Sequence, residues 1–233
     1  KKSNESLYVV RYSPNGKQVA VGSHDNHIYL FDARAGYRLR KTMSGHSSFI
    51  THLDWSVDSR ILQSNSGDYA IIYWDAVSGK SLQSARDSLE SDTLWASWTC
   101  ILGFPVMGIW QDGWDGTDVN CTHRSNNGDL VVIGTDFGEV HLLNCPCVVK
   151  SAPRRSYTGH SAHVDSICFL CGDNMVISAG GRDKALLQFR VVDGSRGPVS
   201  PSQRCETVVH PDTQVRMAWK GVKREQRVSG KSR

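Results

Sequence analysis

The chain has 233 residues, 39% of them hydrophobic, with 21 glycines, seven tryptophans and a formal net charge of +4. This is enough apolar material for one substantial core or several small repeated ones, and too much for a disordered chain. No apolar run approaches the ~18–20 residues of a membrane-spanning helix, and the opening Lys1-Lys2-Ser3-Asn4 has no apolar stretch behind it of the kind a signal peptide needs, so a soluble protein with no membrane partner is expected.

Residues 7–32 read LYVVRYSPNGKQVAVGSHDNHIYLFD. Three alternating apolar runs, YVVRYS, QVAVG and HIYLFD, are separated by the turn Pro14-Asn15-Gly16 and by a second polar turn holding Asp25. Period-two alternation between turn residues predicts short antiparallel strands. Residues 37–43 add an outer strand, which makes 1–43 one unit.

Residues 44–75, SGHSSFITHLDWSVDSRILQSNSGDYAIIYWD, repeat that pattern more completely. Gly45-His46 opens the repeat, Trp74-Asp75 closes it, and Asp68 occupies the tight turn, 43 residues beyond Asp25. A GH…WD unit of roughly 40–45 residues is the signature of one four-stranded propeller blade of the WD-repeat type. His46, Ser64, Asp68 and Trp74 are expected to form one hydrogen-bonded chain. In it Asp68 accepts from the imidazole, and the Ser64 hydroxyl links imidazole to indole. This second unit spans 44–86.

The next turn aspartate, Asp136, comes 68 residues after Asp68, so the third unit (87–157) carries extra chain, predicted as about one inserted strand pair. The extra piece, residues 93–120, contains Trp95, Trp98, Trp110 and Trp114. A fourth unit (158–193) opens with Gly159-His160 and has Asp183 in its turn, 47 residues after Asp136. Phe189-Arg190 stands there in place of Trp-Asp, and phenylalanine has no N–H to donate. The expected network is therefore His160, Ser178 and Asp183 alone. Residues 194–233 hold nine Lys/Arg against three Asp/Glu, and the chain before them holds 18 against 20. Near-neutral blades followed by a poorly structured basic tail are expected. The fold class is all-β, a WD-repeat β-propeller with about four blades of a larger ring and an extended basic C-terminal tail. Because four such blades do not close a ring of this type, the chain is expected to be the C-terminal part of a longer protein.

Four segments together resemble the second propeller of the echinoderm microtubule-associated-protein-like family. They are GHSSFITHLDWSVDS…QSNSGDY (45–69), WASWTCILGFPVMGIW…DGTDVN (95–120), DFGEVHLLNCPC (136–147) and GHSAHVDSICFL…SAGGRDKALLQF (159–189). The tryptophan-rich middle segment is the most discriminating, since ordinary WD-repeat blades lack it. The resemblance implies one of two joined propellers in a cytoskeletal protein that associates with tubulin or microtubules.

Other chemistry is weighed against simpler readings. His46, Ser64 and Asp68 have the residue types of a hydrolase triad, but a triad needs its hydroxyl in an open pocket beside an oxyanion hole; in this spacing they brace the blade. Cys168 and Cys171, with His160 and His163 upstream, suggest zinc, yet residues three apart on a strand point to opposite faces. Asp112, Asp115 and Asp118 lack the ligand set of a calcium loop. Gly180-Gly181-Arg182-Asp183 reads as a turn, not a phosphate cradle. Seven irregularly spaced cysteines indicate a reducing, cytoplasmic protein without a disulfide framework.

No catalytic residue, metal or cofactor is expected. The expected work is protein binding: Trp95, Trp98, Trp110 and Trp114 as candidate anchors, with Lys220, Lys223, Arg224 and Arg227 of the tail attracting acidic tubulin segments. A general protein-interaction scaffold that does not touch tubulin is the alternative. Nucleic acid is not an expected partner, since beyond Trp219 the tail has no aromatic stacking platform.

Overall fold

The computed structural model describes residues 3–85, 89, 92–193 and the backbone of 215–220. Among the described residues, fifteen antiparallel strands form four sheets, ordered β1-β2-β3-β4, β5-β6-β7, β11-β10-β9-β8 and β12-β13-β14-β15. The first holds β1 (Leu7–Tyr12), β2 (Gln18–Ser23), β3 (His27–Asp32) and β4 (Arg38–Ser44). The second holds β5 (Ile50–Trp55), β6 (Ile61–Ser66) and β7 (Ile71–Asp75). The third holds β8 (Val119–Arg124), β9 (Leu130–Thr135), β10 (Val140–Asn144) and β11 (Arg154–Tyr157), and the fourth β12 (Val164–Phe169), β13 (Met175–Gly180), β14 (Ala185–Asp193) and β15 (Val215–Lys220). Each sheet is a meander in which consecutive strands pair, the natural outcome of short alternating runs joined by Asx-type turns. Together they form four blades of a larger WD-type ring.

Neighbouring sheets pack face to face. Between the first and second lie Val9, Ala20, Ile28, Leu30 and Met43 against Ile50, Leu53, Leu62, Ile72 and Trp74. Between the third and fourth lie Cys121, Val132, Val140, Leu142 and Tyr157 against Val164, Ile167, Val176 and Phe189. Glycine permits the closest approach at both interfaces. A Cβ on Gly22 would lie 2.6 Å from the Ile50 Cγ2, and one on Gly134 would lie 2.5 Å from the Val164 Cγ1. The open ends of the arc differ from these interfaces: Val10 and Tyr12 are each 55% exposed on β1, and Leu186 is 63% exposed on β14.

Two expectations need correction. Residues 93–118 contain no strand pair; they form an extended crossing and a 3₁₀ helix at Phe104–Ile109, opened by Pro105 in its first turn. The reason is partnership: this segment bonds to side chains and strand ends of two blades, leaving no second strand to build a hairpin with. The second correction concerns the tail. Residues 215–220 form β15, which pairs with residues 188–193 of β14. The outer edge of β14 offers unpaired N–H and C=O groups, and the alternating VRMAWK run satisfies them. Lys220 is thus a strand residue, while Lys223, Arg224 and Arg227 lie outside the described residues.

Candidate interaction surface

The turn aspartates come first, because they set the frame. In the second blade, the His46 Nε2 lies 2.7 Å from the Ser64 hydroxyl, and the Trp74 indole donates to that hydroxyl at 2.8 Å. The Nδ1 of His46 faces the Asp68 carboxylate at 3.2 Å, and the Ser47 N–H donates to the same carboxylate at 2.8 Å. Since the Asp68 carboxylate can only accept, the imidazole proton sits on Nδ1, which leaves Nε2 to accept from the Ser64 hydroxyl while the serine oxygen accepts from the indole. Burial pulls the His46 pKa down against the opposing pull of Asp68. For Asp68, burial pushes up, but the Ser47 and Ala70 N–H groups and His46 outweigh it and hold the carboxyl below its usual range.

In the fourth blade, the His160 Nδ1 lies 2.8 Å from Asp183 and its Nε2 lies 2.7 Å from the Ser178 hydroxyl. Phe189 packs beside Tyr157 at 6.0 Å between ring centres and makes no bond to the serine. Asp25 has no Gly-His pair opposite it; its carboxylate accepts from the Tyr29 hydroxyl at 2.7 Å and the His27 N–H at 3.2 Å, with the His27 Nδ1 3.5 Å away. Asp136 accepts from the Asn120 amide at 2.7 Å and pairs with His163.

The inserted segment joins the second and third blades. Residues 94–96 prolong pairing at the end of β5: Ala96 N–H donates to Trp55 O at 2.9 Å and Val57 N–H to Leu94 O at 2.8 Å. The chain then meets Asp54, a fully buried carboxylate. It accepts from the Ser97 hydroxyl (2.6 Å), the Thr99 N–H (2.7 Å) and hydroxyl (3.0 Å), the Cys100 N–H (2.9 Å) and the Gln63 amide (3.2 Å). On the far side, Arg124 N–H donates to Trp98 O at 3.0 Å, and its guanidinium to Trp95 O at 2.7 Å. A shared core of Ile71 and Tyr73 from the second blade, Trp95, Trp98, Ile101, Val106 and Ile109 from the insert, and Val131, Ile133 and Leu143 from the third completes the joint. Asp54 was not among the residues singled out from sequence. An ionisable residue inside the otherwise strand-like ITHLDW was the available signal.

The four tryptophans divide. Trp95 and Trp98 are buried, in edge-to-face contact at 6.1 Å, so neither offers the exposed anchor expected of it. Large aromatics are the cheapest way to fill a wide inter-blade gap. Trp110 is half-buried and donates to Ile101 O at 3.2 Å. Trp114 is half-buried beneath the Arg154 guanidinium and beside Phe137 and His141.

The inner strands β1, β5, β8 and β12 border a cavity of about 850 Å³ lined in part by Arg11, His52, His123 and Asp165. Burial pulls the His52 pKa down to about 4. Among the described residues no group of three or more His, Cys, Asp or Glu is placed to hold a metal. Asp115 and Asp118 are engaged with the Thr117 and Asp115 N–H groups of their own loop, and Asp112 with Lys150.

A blade network of this kind, joined to its neighbour by a tryptophan-rich insert, is matched over residues 1–191 by the family described as echinoderm microtubule-associated protein second beta-propeller. The chain belongs to the echinoderm microtubule-associated protein family. Relatives within it include echinoderm microtubule-associated protein-like 3 of Mus musculus, 49% identical over 84% of this chain. Protein-like 2 of Rattus norvegicus and protein-like 1 of Homo sapiens are each 49% identical over 81%. The chain spans 22%, 29% and 23% of these three relatives, respectively. Among solved structures, the β-propeller domain of Cps50 (Swd1) from Myceliophteria thermophila superposes with a TM-score of 0.59 at 17% identity, over 93% of this chain and 72% of that one. That likeness establishes the propeller fold.

Proposed function

We propose that this chain is a non-enzymatic cytoskeletal module that associates with tubulin or microtubules through propeller surfaces. The observation that carries the reading is its place in a family whose members are named for microtubule association, across 191 residues that include the insert. The geometry favours a binding role over catalysis. Ser64, which sits in a His/Asp constellation with an indole, is fully buried, and its oxygen already accepts from Trp74. Ser178 is likewise fully buried. An acyl-transfer nucleophile needs access and an adjacent oxyanion hole, and neither hydroxyl has access. The basic residues Lys220, Lys223, Arg224 and Arg227 supply a second, screened attraction for the acidic tubulin tails.

Microtubule co-sedimentation of the chain across a salt series tests this. The comparison protein is a Lys223→Glu/Arg224→Glu/Arg227→Glu variant, chosen because deleting everything after residue 193 would also remove β15. Pelleting that survives the charge reversal supports contact through the blades. Pelleting lost with it assigns association to the basic segment. A chain that stays in the supernatant in both forms supports the scaffold reading, with microtubule contact residing in the part of the relatives that this chain does not span.

A further inference from the structure

The second half of the insert comes to the surface on the side of the blades where Asp68 and Asp136 lie. Tyr69, next to Asp68, lies over Gly116 so closely that a Cβ there would overlap its ring. Across the loop, Trp114 reaches Phe137, the residue after Asp136, at 5.8 Å between ring centres. Beside Tyr69 the 3₁₀ helix presents Phe104 and Met107. These side chains are exposed: Tyr69 59%, Phe104 52%, Met107 54% and Phe137 60%. Tyr69, Phe104 and Met107 line a cleft of about 460 Å³ with Leu102 and Gln83. Scattered apolar exposure is ordinary, but aromatic and methionine side chains around one cleft are the composition of a binding surface.

The rim of this surface is acidic. Asp115 and Asp118 lie in the loop that supports Tyr69, and the Asp136 N–H donates to Asp118 O at 3.1 Å, bringing the next turn alongside. Glu139 follows in that turn. Hydrogen bonds from Thr117 hold the Asp115 carboxyl below its usual range, and His141 does the same for Glu139. Two cations among the described residues near this face are already engaged, and the His141 ring pairs with Glu139 at 3.0 Å. Lys150 pairs with Asp112, and the Arg154 guanidinium is held by the carbonyls of Gly108, Ile109 and Ala152.

We infer that the Tyr69–Phe104–Met107–Phe137 surface docks a basic peptide segment of a partner protein, with an apolar side chain in the cleft and Lys or Arg side chains against Asp115, Asp118 and Glu139. Charge complementarity selects this occupant: the carboxylates of the Gly116 loop and the Asp136 turn, beside the exposed aromatic and methionine side chains, repel an acidic segment and attract a cationic one. The surface is therefore separate from any contact with the acidic tails of tubulin, and the inference stands independently of the tubulin reading.

Fluorescence anisotropy of the whole chain with a short fluorescein-labelled peptide of Leu, Lys, Arg and Ser tests it. Control peptides carry Glu in place of Lys and Arg, or Ser in place of Leu, and a third has the sequence of an acidic tubulin tail. The basic, leucine-bearing peptide is expected to bind, with affinity falling as salt rises. Phe104→Ser/Met107→Ser should weaken it about tenfold, as should Asp115→Asn/Glu139→Gln, which keeps the hydrogen-bond acceptors while removing charge. A thermal melt of each variant verifies folding, and the charge pair retains a test if the apolar pair fails to fold. Equal binding of the glutamate peptide, binding of the tubulin-tail peptide that these substitutions abolish, unchanged binding by folded variants, or no binding of the basic peptide would each overturn the inference.

Discussion

The second and fourth blades share a design and differ in what covers them. Leu53 pairs with Ser64 and Ile167 with Ser178, so Asp54 and Gln63 occupy the strand positions that Cys168 and Ile177 occupy in the fourth blade. Cys168 and Ile177 are half-buried on a sheet face over which, among the described residues, no insert runs. Asp54 and Gln63 are fully buried, because the insert lies on their face and directs hydroxyl and N–H donors at the carboxylate. A strand position that is ordinary in one blade becomes a polar anchor in another once a third segment must be held in place. Burying a lone carboxylate would be prohibitive; burying one with donors all round it specifies a partner.

Removing that anchor should break the comparison most severely. Asp54→Ala leaves the Thr99 and Cys100 N–H donors buried without their acceptor, at about 1–3 kcal/mol each, and should free the insert from the second blade. Chemical denaturation gives the loss, and a red shift in the emission of Trp95 and Trp98 reports the detachment. Asp54→Asn, which keeps an acceptor oxygen, should lose less. A mild Asp54→Ala effect would mean that the apolar contacts of Trp95 and Trp98 alone hold the joint.

Next in size are the turn aspartates. Asp68→Ala and Asp183→Ala should each destabilise by about 1–3 kcal/mol, the range for stranding buried hydrogen-bonding groups. The two should be similar, since each carboxylate holds one imidazole and a neighbouring backbone N–H. A melting temperature unchanged by either substitution would refute the bracing role.

Acid should act in two stages. The His52 pKa is about 4 in the fold against an ordinary 6.5, so protonation favours the unfolded chain. Its stabilising contribution is lost as pH falls below about 6.5 and levels off near the folded value, amounting to roughly 1–2 kcal/mol by pH 5. Asp68 and Asp183, held below the ordinary carboxylate value, contribute stability that disappears only as pH falls through the more acidic range. Melting temperature against pH should show both stages, with the first reduced in a His52→Gln variant.

The smallest expected effect sharpens the difference between the networks themselves. Trp74→Phe makes the second blade resemble the fourth, removing the indole donor to Ser64, and should destabilise by about 1 kcal/mol beyond the lost ring volume. The reverse change, Phe189→Trp, adds a donor within reach of Ser178 only if the wider ring fits beside Tyr157. A melt of both variants tells whether the indole bond or the packing matters more.

Much of the blade frame was legible beforehand because its determinants are local. Alternation placed the strands to within a residue or two, and the spacing of Asp25, Asp68, Asp136 and Asp183 marked where each sheet turns. The insert was legible as extra length and as tryptophan, but not as structure. Trp95 and Trp98 looked like anchors for a partner, and the fold uses them as anchors between its own blades. VRMAWK passed as part of a charged tail because a lone short strand has no meaning until an edge exists to receive it.

Sequence by itself determined the repeat, the turn chemistry and the family, since each rests on local strand and turn patterns and on the spacing at which they recur along the chain. Tertiary structure alone decided that Asp54 meets Ser97, Thr99 and Cys100 more than 40 residues away, and that Tyr69, Phe104, Met107 and Phe137 share one acidic-rimmed face. Such contacts depend on how separately folded sheets and the segment between them pack, and no period in the chain encodes that.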